Sequence, residues 1–167
     1  MSAALKLKTQ HHFSKAAQQY QYHARVQAKS SELLIAQIGE RQLGRCLDLG
    51  AGPGVNSAVL AKLSEQYLAL DLSAQMLAQI KVTGAKLCAD MDSLPIANDT
   101  LDTVFSNFVM QWSHNMAHAL SELYRVLKPG GRAFVSIVAH DSLLEVKQAF
   151  AQVGRCAIND FHTLEQL

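Results

Sequence analysis

From Gly44 onward, short apolar runs alternate with longer stretches in which apolar residues recur every three or four positions. The first pattern is that of strands buried on both faces and the second that of amphipathic helices, so the alternation predicts βαβ units around a parallel sheet. Strands are expected near 46–49, 67–70, 86–89, 103–106 and 133–138, and helices near 55–64, 74–82, 116–126 and 143–153. Pro129-Gly130-Gly131 supplies a helix stop and a tight turn into the last strand. Upstream, Ala16, Tyr20, Ala24, Ala28, Leu34, Ile35 and Ile38 fall at helical spacings and predict one or two amphipathic helices over 13–38, ending near Gly39. The chain thus divides into an N-terminal helical segment, residues 1–43, and an α/β domain, residues 44–167.

The first strand runs straight into Asp48-Leu49-Gly50-Ala51-Gly52-Pro53-Gly54, and Val55 is expected to open a helix. Glycines at such a junction admit positive φ and let a ligand touch the backbone. A GxGxxG dinucleotide fingerprint would place its third glycine where Val55 stands, which weakens a nicotinamide reading. The loop alone is equally compatible with a sharp strand-to-helix turn. Asp71 ends the second strand 17 residues after Gly54, where a carboxylate can accept both hydroxyls of a ribose. Asp90 follows the third strand, where it can take an adenine amine with Met91 packed on the ring, or simply start a loop. Asp48, Asp71 and Asp90 at successive strand ends share one sheet edge, which favours an adenosyl ligand.

Composition sharpens the picture by exclusion. In 167 residues, 49% hydrophobic and 17% charged, there is enough apolar material for one packed domain, and disorder, collagen and coiled coil are excluded. Lys and Arg number 15 against 14 Asp and Glu, so nothing attracts nucleic acid or an anionic membrane globally. The distribution is uneven, because Lys6, Lys8, Lys15, Arg25 and Lys29 all precede the first acid, Glu32. Cys46, Cys88 and Cys156 lack zinc or disulfide spacing and read as buried thiols in a reducing cytosol. No run approaches the roughly 18 apolar residues of a membrane span, and a cytoplasmic location is expected. His114 and His118 have i, i+4 spacing, but Asn115 stands where a zincin needs its glutamate, so no metal is expected.

Taken together, the glycine loop, Leu70-Asp71-Leu72-Ser73, Ala89-Asp90 and Leu127-Lys128-Pro129-Gly130-Gly131 resemble the class I S-adenosylmethionine-dependent methyltransferases. The resemblance implies a Rossmann-like three-layer αβα sandwich with parallel strands one to five. It also implies cofactor contacts at Asp48, Gly50, Ala51, Gly52, Gly54, Asp71, Leu72, Asp90, Met91 and Asn107. More narrowly, Phe13, Ala16, Tyr20, His23-Ala24 and Gln27, with Ser106-Asn107-Phe108-Val109-Met110-Gln111-Trp112 and Phe161-His162-Thr163-Leu164, are similar to the BioC family of biotin synthesis. That family methylates the free carboxylate of malonyl-acyl carrier protein.

By this resemblance Tyr20 and His23 belong to a lid that binds the substrate carboxylate, and Trp112 lines the acyl pocket; ordinary helix packing and core filling are their alternatives. Arg25 either neutralises the carboxylate or is plain surface charge. The basic segment gains a use in docking an acidic carrier protein. Family members continue through two further strands beyond the fifth, so the chain reads as C-terminally shortened, with an exposed fifth-strand edge open to self-association. Two rivals remain: a methyltransferase for a quinone or other small molecule, needing a base such as His140 or His23, and a binding module without turnover.

Overall fold

The computed structural model describes residues 25–140, 142, 144–152 and 163. Helix α1 (Arg25–Ile38) is followed by β1 (Arg45–Leu49), α2 (Ser57–Leu63), β2 (Gln66–Asp71), α3 (Ala74–Leu77), β3 (Ala85–Cys88) and β4 (Leu101–Asn107). A 3-10 turn (Met110–Trp112), α4 (Met116–Val126), β5 (Leu127–Ser136) and α5 (Leu144–Gln152) complete the order. Neighbouring strands are all parallel, in the order β3-β2-β1-β4-β5. The chain steps outward from β1 to β3, then returns to the far side of β1 to lay down β4 and β5. That reversal leaves a crevice at the carboxyl ends of β1 and β4, the place where open α/β sheets bind ligands.

The pleat sorts side chains into two cores. Leu47, Leu49, Leu70 and Val104 pack against Met116, Ala119, Leu123 and Val126 of α4. On the other face Cys46, Tyr67, Ala69 and Phe105 meet Ile38 of α1, Leu60 of α2, Leu77 of α3 and Ile80. Burial on both faces is why these strands read as apolar runs. The result is the expected three-layer αβα sandwich.

Several boundaries move for local reasons. Helix α1 ends at Ile38, where Gly39 takes φ 63° and Arg41 Nη1 donates to the carbonyls of Gln37 and Ile38, both at 2.8 Å. The earlier part of the helical expectation, including Tyr20 and His23, lies outside the described residues. Helix α3 covers only Ala74–Leu77 of the expected 74–82, because Gln79 and Ile80 bond three residues back, to Met76 and Leu77, and tighten the chain out of the helix. Strand β5 starts at Leu127 rather than 133: two steps along β4, Leu101 to Thr103, match five along β5, Leu127 to Arg132. Pro129-Gly130-Gly131 is therefore a bulge within the strand's span, with Gly130 at φ 80°, and not a separate turn before it.

Cys46 is buried as expected, but Cys88 is exposed, since β3 is the outermost strand; its Sγ donates to the Leu72 carbonyl at 3.5 Å. Cys156 lies outside the described residues. No described helix is long and apolar enough to cross a membrane.

Candidate active site

Beyond β1 the chain turns through three glycines in left-handed conformations, Gly50 (φ 68°), Gly52 (φ 54°) and Gly54 (φ 87°). Gly50 and Ala51 donate their N–H groups to the Leu70 carbonyl at 2.7 and 3.0 Å, which ties the loop to the end of β2. A Cβ on Gly50 would stand 2.2 Å from Cγ2 of Val109, so the bare α-carbon is what lets the segment after β4 close on the loop. Helix α2 begins at Ser57 rather than Val55, because residues 54–56 complete the turn and leave Val55 exposed.

Above this loop is a cleft of about 280 Å³ lined by Gln27 and Ala28 of α1, Asp48, residues 50–56 and Asn107. Helix α1 is fastened across it at two points. Asn107 Nδ2 donates to the Gln27 carbonyl at 2.9 Å, while its Oδ1 accepts from Ser30 Oγ at 2.8 Å and from Ser136 Oγ at 2.7 Å. Ser31 Oγ makes a short hydrogen bond to Asn56 Oδ1.

At the cleft's inner end Asp48 is 2% exposed and accepts from the Tyr67 hydroxyl at 2.7 Å. Tyr67 Oη in turn lies 2.6 Å from Ser57 Oγ. Burial pushes the Asp48 carboxyl up to about 7; the Tyr67 hydrogen bond opposes the rise and the Asp71 charge adds to it. Asp71 ends β2, with Gly52 N–H on Oδ2 at 2.9 Å and Ser73 N–H on Oδ1 at 2.8 Å. Burial raises this carboxyl as well, against those backbone donors. Each oxygen retains acceptor capacity for a ligand hydroxyl.

The structure thus gathers Asp48, Gly50, Ala51, Gly52, Gly54 and Asn107 at one cleft. Asp71 does not line it but bonds Gly52, which does. Leu72, Asp90 and Met91 follow the ends of β2 and β3 outside the lining. Asp90 shows the loop-starting geometry, its Oδ1 accepting from Asp92 N–H at 3.0 Å. Met91 packs against the α4-side core, and Trp112 sits half-buried in the 3-10 turn, also outside the lining. His140 is exposed in a turn after β5.

A second polar cluster holds the loop that follows Asp90. Arg125 donates to the carbonyls of Leu94 and Ile96, to Asn98 Oδ1 and to both oxygens of Glu122, at 2.6 to 2.9 Å. Glu122 also accepts from Leu94 N–H at 2.8 Å, and its pairing with Arg125 holds its carboxyl down at about 2. Asp92 accepts from Ser113 Oγ and His114 N–H, and its carbonyl lies 2.9 Å from His118 Nε2. Among the described residues no group of three or more His, Cys, Asp and Glu is placed to hold a metal ion.

Sequence reasoning did not find Tyr67, Ser57, Asn56, Ser30 or Ser136. A partial signal existed for Tyr67: Tyr67, Ala69 and Asp71 share one face of β2, so a hydroxyl was due among apolar neighbours where it needs a partner.

A parallel five-stranded sheet with a glycine loop at its topological reversal defines an α/β ligand-binding domain, and comparison gives its class. The chain belongs to the family described as "Methyltransferase domain", which it matches over residues 47–135, more than half its length. Its fold is that of the DhpI-SAM-HEP complex, at TM-score 0.73 and 18% identity, covering 99% of this chain and 86% of that one.

More particularly, it is similar to the malonyl-[acyl-carrier protein] O-methyltransferase of Pseudescherichia vulneris, 38% identical over 159 residues, which are 93% of this chain and 63% of that protein. It is also similar to the biotin biosynthesis bifunctional protein BioHC of Cellvibrio japonicus, 37% identical over 146 residues, 84% of this chain and 29% of that protein. The chain spans less than two thirds of the length of the malonyl-[acyl-carrier protein] O-methyltransferases it matches.

Proposed function

We propose that this chain is the S-adenosylmethionine-binding part of an O-methyltransferase that converts the free carboxylate of malonyl-acyl carrier protein to its methyl ester, an early step of biotin synthesis. The observation that carries the reading is the cleft at the β1/β4 reversal, where a three-glycine loop and one buried carboxylate lie under α1. The 38% likeness to a malonyl-[acyl-carrier protein] O-methyltransferase supports malonyl-acyl carrier protein as the substrate.

The residues fit such a cofactor chemically. Asp48 offers a carboxylate for an ammonium group, the glycines admit close backbone approach, and Asp71, fixed by two N–H donors, offers oxygens for ribose hydroxyls. Asp90, Met91 and Leu72 are assigned to the adenosine end, and Asn107 to holding the cleft closed by α1. S-adenosylmethionine, when bound, supplies the electrophilic methyl group. A substrate carboxylate is ionised at neutral pH, so the protein needs no general base and contributes alignment and exclusion of water, worth about 7–11 kcal/mol when geometry is well held.

Residues 1–43, of which 25–43 are described and 25–38 form α1, act as the lid that carries Tyr20 and His23 to the substrate, and Trp112 lines the acyl side. Exposed Arg25 and Lys29 on α1 extend the basic segment toward an acidic carrier protein in a cytoplasmic setting. The outer side of β5, unpaired among the described residues, is the edge through which copies would associate.

Calorimetric titration of the chain with S-adenosylhomocysteine, with NADH as control, tests the cofactor. Saturable binding of the former alone is expected, and absence of binding by folded chain overturns the assignment. Mass-spectrometric detection of methyl ester on malonyl-acyl carrier protein then tests the substrate, and cofactor binding without ester formation on this or small-molecule acceptors would identify a binding module.

A further inference from the structure

Asp48 is the only carboxylate that lines the cleft, and among the described residues its only hydrogen-bond partner is the Tyr67 hydroxyl. Tyr67 is 7% exposed and Ser57 1%, so the hydrogen-bonded chain Ser57–Tyr67–Asp48 is buried and meets the cleft at Asp48. A tyrosine hydroxyl has one proton. Because an ionised Asp48 can only accept, that proton points to Asp48, and Ser57 must donate to Tyr67. Ser57 is the first residue of α2, so the relay links the helix start to the carboxylate.

The Tyr67 ring has its own seat: a Cβ on Gly84 would lie 2.7 Å from Tyr67 Cδ1, so the residue before β3 leaves room for the ring. A buried carboxylate without a donor takes up a proton and ceases to attract a cation. Resting on the methyltransferase reading of the cleft, we propose that Tyr67, backed by Ser57, is a positioning residue that orients Asp48 and keeps it charged for the cationic amino-acid end of the cofactor.

The surroundings make Tyr67 decisive. The other titratable groups that bear on Asp48 are Asp71 on β2, whose charge opposes ionisation, and Cys46, which is on β1 itself. What the remaining elements bring is uncharged: Phe105 opposite on β4, Gln27 and Ala28 of α1, Ser57 of α2 and the glycine loop. Among the described residues no cation competes with Tyr67 for the role.

The test is calorimetric titration of S-adenosylhomocysteine into wild type, Tyr67→Phe and Ser57→Ala between pH 6 and 8.5, with thermal melts to verify folding. If losing the hydroxyl moves Asp48 up by about one pH unit, Tyr67→Phe binds about tenfold more weakly at pH 6, about fivefold at pH 7 and less than about twofold at pH 8.5. Ser57→Ala, whose side chain is small and whose fold is least at risk, shifts the profile the same way by less. A Tyr67→Phe profile that coincides with wild type, or lies below it by one constant factor at every pH, overturns the positioning role while leaving the cofactor assignment intact. Failure of the folded wild type to bind at any pH overturns both.

Discussion

Two carboxylates on opposite sides of the sheet show how one chemical group is put to different ends. Asp48 is buried with a single side-chain donor, and burial lifts it to about 7. Glu122, on α4, is held by Arg125 and the Leu94 N–H, and its carboxyl falls to about 2. The first arrangement costs folding free energy and the second returns some, so only the first calls for a functional reason. The lesson is that the cleft is under tension where the clamp on the β3–β4 loop is at rest.

The comparison breaks hardest at Asp48. Its raised carboxyl contributes stability that is full below pH 3.8 and lost as pH rises through about 7. Asp48→Asn, which keeps the Tyr67 contact but cannot ionise, is expected to stabilise the ligand-free chain by about 4 kcal/mol at pH 8, to change little at pH 4, and to weaken S-adenosylhomocysteine binding; urea unfolding at the two pH values decides. Gly50→Ala acts on the same side. A methyl 2.2 Å from Val109 in a left-handed backbone should cost about 2–4 kcal/mol and abolish measurable cofactor binding, read by urea unfolding and calorimetry.

Asp71→Ala should weaken cofactor binding by at least about tenfold, because the ribose acceptors are lost along with the anchor of Gly52; an unchanged dissociation constant would remove Asp71 from the site. On the clamp side the sign reverses. Glu122 contributes stability that is present above pH 4.5 and fades as pH falls through about 2, so Glu122→Gln should lower the melting temperature by a few degrees at pH 7, flatten the acid limb, and leave cofactor affinity within about twofold. A large loss of affinity in that variant would mean that the clamp sets the adenosine side of the site and that the two regions are not separate.

The strands and the glycine loop were legible because they are set by local rules. Apolar runs marked β1, β2 and β4 within a few residues, and the glycines fell where positive φ is required. Acids at strand ends pointed to Asp48 and Asp71, though the pattern could not say that one would be buried with a single hydroxyl donor while the other is braced by backbone. What escaped notice depends on distant parts of the chain. Asn107 is expected among the cofactor contacts, and nothing local announces that its side chain also joins α1 to β5 through partners 80 and 29 residues away. The early end of α3 and the bulge in β5 follow from packing and register, which override helix periodicity and a Pro-Gly-Gly signal.

That joint at Asn107 also bears on how the molecule comes into being. The helix roofing the cleft precedes the sheet in the chain, but the serine that completes its fastening, Ser136, belongs to β5, the last of the described strands. On a growing chain, delivered from the N-terminus, α1 has nothing to dock on until β4 and β5 have emerged. The glycine loop can turn as soon as β1 and β2 pair, whereas the chamber above it closes only once β5 has been laid beside β4, which makes cofactor retention a reporter of the completed five-stranded sheet.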